Sequence, residues 1–149
     1  MQYGMGTLGR IFVLRLEDGE RLPDTIEAFA QDQGIKEALV FYLGGAQDGS
    51  RLVVGPEPDR GEAIVPITYI LQGIQEVAGV GTLFPNDAGA PVLHLHAATG
   101  REGKATVGCT RAGVEVWLVG EVVILEILGT AGCRRKDPQS GLELLQLDK

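Results

Sequence analysis

The chain has 149 residues, with 13 basic and 20 acidic side chains, a formal net charge of −7 and 44% hydrophobic residues. That length suits one domain with a sizeable core, and the composition is that of a globular protein rather than a disordered or fibrous one. The acidic balance opposes non-specific contact with nucleic acid or an anionic membrane, and the one compact basic run, Arg134-Arg135-Lys136, reads as a short solvated turn.

In chain order, Arg10 to Leu16 is rich in β-formers and ends at Asp18-Gly19, which predicts a strand and a turn. Pro23 and Asp24 suit a helix start, Leu22, Ile26, Phe29 and Ala30 recur at spacings of three and four, and Gly34 suits the stop. Ala38 to Leu43 reads as a strand broken by Gly44-Gly45, and Arg51 to Val54 as a short strand closed by Gly55-Pro56. Glu57 to Gly61 reads as a loop. Ala63 to Leu71, Glu76 to Phe84, Val92 to Ala98, Val114 to Leu128 and Leu142 to Leu147 have strand character. Periodicity alone leaves Val114 to Leu128 open to a buried helix, but its β-branched residues favour a strand bent at Gly120. Many short strands and too few helices for βαβ crossovers predict an α+β domain, a mostly antiparallel curved sheet packed on one main helix. One domain over residues 9–147 is expected, with tails at 1–8 and 148–149.

Two cysteines, Cys109 and Cys133, are too few for a disulfide framework and read as free thiols in a reducing compartment. The segment Met1 to Gly6 lacks the basic and apolar regions of a secretory signal. Glu115, Glu121 and Glu126 interrupt the most apolar stretch, which is shorter than the ~20 residues of a membrane span. A cytoplasmic location without membrane partners is therefore expected.

The chemistry centres on Pro91-Val92-Leu93-His94-Leu95-His96-Ala97, which holds the only two histidines. On a strand, alternate side chains share a face, so both imidazoles come within ~7 Å of each other and can grip one ion. A mononuclear site needs a third ligand, and Cys109 is the nearest plausible one. Gly100-Arg101-Glu102-Gly103 reads as a hairpin turn that returns it to the histidine strand. Two imidazoles and a thiolate suit zinc, with other borderline metals also compatible. The alternative is a polar strand face beside a buried hydrophobic thiol. Glu76, Glu121 and Glu126 each read as a partner to a ligand or a general base, or simply as solvent-facing strand residues. Other motifs are weak. Gly79-Val80-Gly81 and Gly4-Met5-Gly6 lack the dinucleotide-binding spacing, and the two serines, Ser50 and Ser140, lie outside any nucleophile elbow.

From about Gly9 to Leu147 these residues resemble the PPC (plant and prokaryote conserved) domain. The resemblance is carried by Arg10 to Leu16 with its helix, Leu43-Gly44-Gly45-Ala46, the Glu76 strand ending near Gly79, Leu93-His94-Leu95-His96-Ala97 and Gly120-Glu121-Val122-Val123-Ile124. It implies a stand-alone prokaryotic member with an α/β PPC fold, assembled as a homotrimer. In many members a Gly-Gly-His-Leu segment adds a third histidine to the metal; here Val107-Gly108-Cys109-Thr110 puts cysteine in its place, which changes the charge and metal preference. The Arg-Gly-Arg-Pro core of plant AT-hooks is missing, and Arg60-Gly61-Glu62 is not one, so the family's DNA-binding label transfers poorly. The fold is also similar to that of acetolactate decarboxylase, whose His-x-His zinc makes a reaction on a small keto or hydroxy acid conceivable. Three functions stay open: a metal-binding homotrimer acting on a small polar molecule, a DNA-associated regulator, and a purely structural or partner-binding trimer.

Overall fold

Leu14, Leu16, Val40, Tyr42, Val122 and Ile124 occupy every second position of their segments, and strand pairing turns all of them to one side of a single sheet. The computed structural model describes residues 1–57 and 64–147. Its strands are β1 (Thr7–Glu17), β2 (Ala38–Ala46), β3 (Arg51–Pro56), β4 (Pro66–Ile70), β5 (Gln75–Pro85), β6 (Pro91–Arg101), β7 (Lys104–Cys109), β8 (Val116–Leu128), β9 (Gly132–Lys136) and β10 (Glu143–Leu147). The helix α1 spans Leu22–Gln33. Eight strands form an antiparallel sheet in the order β1-β8-β2-β5-β6-β7-β3-β4, and β9 and β10 make a separate ribbon. This is the α+β, mostly antiparallel architecture expected from the sequence.

Helix α1 starts with a proline in its first turn and ends at Gly34, whose φ of 65° is left-handed. Its buried residues Leu22, Ile26 and Ala30 join a core with Val40, Leu83, Leu95 and Ile124. Phe29 meets Phe12 of β1 edge to face, ring centres 5.4 Å apart. One rung runs Phe12–Ile124–Val40–Gly81–Leu95 across five strands. Gly81 has a packing role in that rung, because a Cβ there would stand 2.6 Å from Leu95 Cα. The glycine pair flanking Val80 thus brings β5 and β6 together under the helix. Glu27 of α1 accepts a hydrogen bond from Leu93 N at 2.8 Å, tying the helix to the histidine strand.

Several expectations change in detail. Strand β2 runs through Gly44-Gly45 to Ala46, with a bulge against β8 absorbing the glycines. Strand β3 continues through Gly55-Pro56, and β8 starts at Val116. Arg134-Arg135-Lys136 is no solvated turn but lies in β9, and Arg134 is only 4% exposed. The expected loop beyond Glu57, Arg60-Gly61-Glu62, the start of the strand predicted from Ala63 and residues 148–149 lie outside the described residues. Among the described residues no helix is long and apolar enough to cross a membrane.

Glu126 is buried at the end of β8, where Arg10 clamps it with Nε at 2.7 Å, Nη2 at 2.6 Å and its backbone N at 3.0 Å. Nη2 of the same arginine also donates to the Gln33 carbonyl at 3.1 Å, so one guanidinium joins β1, β8 and the end of α1. Its hydrogen bonds hold the Glu126 carboxyl down to about 2, against an ordinary 4.5. A carboxyl with a lowered folded-state pKa stabilises fully above its ordinary value and loses that effect as pH falls through the lowered one. Stability against urea is therefore expected to fall between pH 4.5 and about 2. Glu126→Gln should be less stable at neutral pH and flatter across that window; an unchanged pH profile contradicts the role assigned to the pair.

Candidate metal centre

Antiparallel register builds the centre. His94 and His96 lie on β6 opposite Thr82 and Val80 of β5, and His96 faces Cys109 of β7 on its other side. Glu102 and Gly103 make the tight turn between β6 and β7 with φ values of 53° and 75°, the left-handed pair that a two-residue hairpin loop requires. The predicted turn does return the cysteine to the histidines. Val53 of β3 pairs with Cys109 from the far side, and the thiol is only 3% exposed. A 3-10 turn at Thr110–Ala112 follows, and Thr110 Oγ1 donates to the Leu95 carbonyl at 3.2 Å, locking the end of β7 onto β6.

Both imidazoles face solvent, with their Nε2 atoms 3.1 Å apart and rings at 86°. One ring nitrogen of each histidine and the Cys109 sulfur all lie within 4.8 Å of one another. Tetrahedral zinc, with bonds of ~2.0–2.1 Å to nitrogen and ~2.3 Å to sulfur, sets its nitrogens about 3.3 Å and its nitrogen–sulfur pairs about 3.6 Å apart. The imidazoles already match that spacing, and the sulfur has at most about 1.2 Å to close. Partial desolvation of this exposed ring by its neighbours, helped by Arg134, His96 and Arg111, pushes the His94 imidazole below its ordinary 6.5. At neutral pH its lone pair is free for a cation rather than occupied by a proton.

The three expected carboxylates are not brought into this cluster. Glu76 is exposed on β5 opposite Gly100, four residues along the strand from Val80. Glu121 is exposed on β8 between Arg15 and Leu43, with β2 and β5 separating it from β6. Glu126 belongs to the Arg10 clamp.

What the sequence reading missed is cationic. A cavity of about 570 Å³ opens over the histidines and is lined by Arg111, just past Cys109, and by Arg134 and Glu143 of the β9–β10 ribbon. The position of Arg111, two residues after a candidate ligand, was the available signal for it. Nothing local marked Arg134, whose partners lie 42 and 52 residues away.

Comparison with known proteins agrees with this architecture. Residues 3–128 match the Plants and Prokaryotes Conserved (PCC) domain, and the chain belongs to that family. A PPC protein of Pyrococcus horikoshii superposes with a TM-score of 0.84 at 28% identity, covering 100% of this chain and 99% of the other. A metal-containing protein of Archaeoglobus fulgidus gives 0.82 at 27% identity over 98% of this chain and 99% of that one. A candidate DNA-binding protein of Ralstonia eutropha gives 0.69 at 20% identity, covering 91% and 90%, a likeness of fold alone. The bifunctional protein GlmU of a Synechococcus strain is 25% identical over 142 residues, which are 94% of this chain and 21% of that protein. The chain thus spans about a fifth of that relative.

The two thiols differ in access, since Cys109 is buried and Cys133 is half-buried. In the folded protein a thiol reagent is expected to modify Cys133 first and Cys109 slowly, with both equal after denaturation. Mass spectrometry of the singly labelled peptide checks this, and early modification of Cys109 contradicts the burial described.

Proposed function

We propose that this chain is a homotrimeric metal-binding protein whose His94, His96 and Cys109 hold one transition ion, zinc first, for work on a small polar molecule. The observation that carries the reading is the convergence of three donors of suitable chemistry from two adjacent strands. A relative of nearly full coverage at 27% identity is metal-containing, which supports it. Two neutral imidazoles and a thiolate leave a fourth position open and favour zinc over hard cations. When bound there, zinc supplies a Lewis-acid position able to polarise a carbonyl or acidify a water. The protein's own share is to fix the imidazoles by strand register, keep Cys109 from solvent and present the open side to the cavity. A free thiolate ligand also fits a reducing compartment such as the cytoplasm.

Trimer formation is supported by the face of the sheet away from α1. A rung there runs Val13–Val123–Phe41–Val80–His96–Cys109 across six strands. Val13, Phe41 and Val80 on it are 78%, 42% and 52% exposed, and Ile11 and Leu43 extend the apolar surface. A lone subunit leaving this much contiguous hydrocarbon in water is poorly soluble, so association through it is favoured. The metal would then lie at the margin of a subunit boundary. The number three comes from the family likeness. DNA association is less well supported, because the chain carries a charge of −7 and Arg134 of its basic run is buried.

The test is metal analysis of protein purified without added metal, with melting measured before and after chelation. About one transition ion per chain and a melting point that falls on chelation and returns with zinc are expected. His94→Ala with His96→Ala should abolish both while light scattering still gives a trimer. A metal-free protein whose melting ignores zinc points instead to a purely structural assembly, and a monomer in scattering removes the trimer.

A further inference from the structure

The cavity above the histidines is lined by two guanidiniums that have no carboxylate partner among the described residues. Arg134 enters from β9, donating from Nε to the Val92 carbonyl at 3.3 Å and from Nη2 to the Thr82 carbonyl and hydroxyl at 3.1 and 2.9 Å. Its carbon Cζ also stands 5.9 Å over the Phe84 ring. All these partners are neutral, and its Nη1 makes no hydrogen bond among the described residues. A guanidinium this buried is ordinarily paired with an anion. Glu143 acts on it only through space, with no ion pair between them among the described residues. Arg111 is exposed on the 3-10 turn and makes no hydrogen bond or ion pair among the described residues. Both cations line the same cavity as His94 and His96.

We propose that Arg111 and Arg134 form an oxyanion subsite beside the histidines, so that the cavity takes a small molecule carrying a carboxylate or phosphate group. Arg134 is the fixed half, its Nε and Nη2 held by β6 and β5, which leaves Nη1 as the donor available to a ligand. Arg111 is the exposed half, lining the same cavity from the 3-10 turn. A guanidinium pair suits planar or tetrahedral oxyanions, and such charge-assisted contacts are the strong ones. The volume of about 570 Å³ fits a metabolite-sized ligand and little more. An anionic group held here would share its cavity with His94 and His96. The inference deepens the metal-site reading, resting on it for the ligand's reactive end but not for the anion's own contacts.

Calorimetric titration with malonate, inorganic phosphate and neutral malonamide tests it, on zinc-loaded and on chelated protein. Malonate or phosphate is expected to bind at least tenfold tighter than malonamide. Whichever binds tighter identifies the source as a carboxylate or a phosphorylated molecule. Arg111→Ala should weaken that binding about tenfold without lowering the melting point, with Arg111→Lys between the two. Arg134→Lys, which keeps the charge but loses the fork, should weaken it too if it folds; the Arg111 variants decide the matter if it does not. Arg111-dependent anion binding that survives chelation keeps the subsite even where no metal binds. Zinc uptake with no preference for anions, or equal affinity in Arg111→Ala, overturns this inference and leaves the metal reading standing.

Discussion

The pairing of β6 with β7 is the constraint on which the site depends. A two-residue turn at Glu102-Gly103 sets the register, and the register puts His96 opposite Cys109. A slip by one residue would send the thiol to the other face of the sheet and leave two imidazoles with no third donor. The flanking contacts guard against that slip. β3 pairs with Cys109 on its outer side, and the Thr110 hydroxyl holds the Leu95 carbonyl between the two histidines.

The same alternation divides the chain's labour. Odd and even positions of β6 go to opposite faces, so Leu93, Leu95 and Ala97 enter the core while His94 and His96 face out. Burying Leu95 requires Gly81 opposite it, so a glycine of the core side helps set the strand that carries the histidines. On the outer face an apolar band leads across β1, β8, β2 and β5 straight to His96. The exposed apolar band and the candidate centre are therefore parts of one rung, and burial of the first would change the solvent around the second.

The legibility of these features in the sequence follows their range. Helix α1 was readable because its proline, its apolar stripe and Gly34 all act within one segment. The histidine pair and its return hairpin were readable for the same reason, since strand periodicity and turn chemistry are local. Arg134 was misread because its burial depends on Thr82, 52 residues away, and a basic tripeptide carries no sign of that. Glu126 left its role open because Arg10 lies 116 residues off. Gly44-Gly45 suggested a break, whereas pairing with β5 and β8 on both sides carries the strand through it. The exposed band on β1 and β2 was invisible in composition, since alternating apolar residues on both faces read simply as strand.

The convergence of nitrogen and sulfur on one ion is tested most directly by cobalt substitution. Cobalt(II) added to the metal-free protein is expected to give the visible bands of a four-coordinate centre together with a near-ultraviolet thiolate-to-metal charge-transfer band. Cys109→Ser should lose the charge-transfer band, and Cys133→Ser should keep it. A cobalt spectrum without any thiolate band in the unaltered protein, or one that survives loss of Cys109, would contradict the three-donor centre.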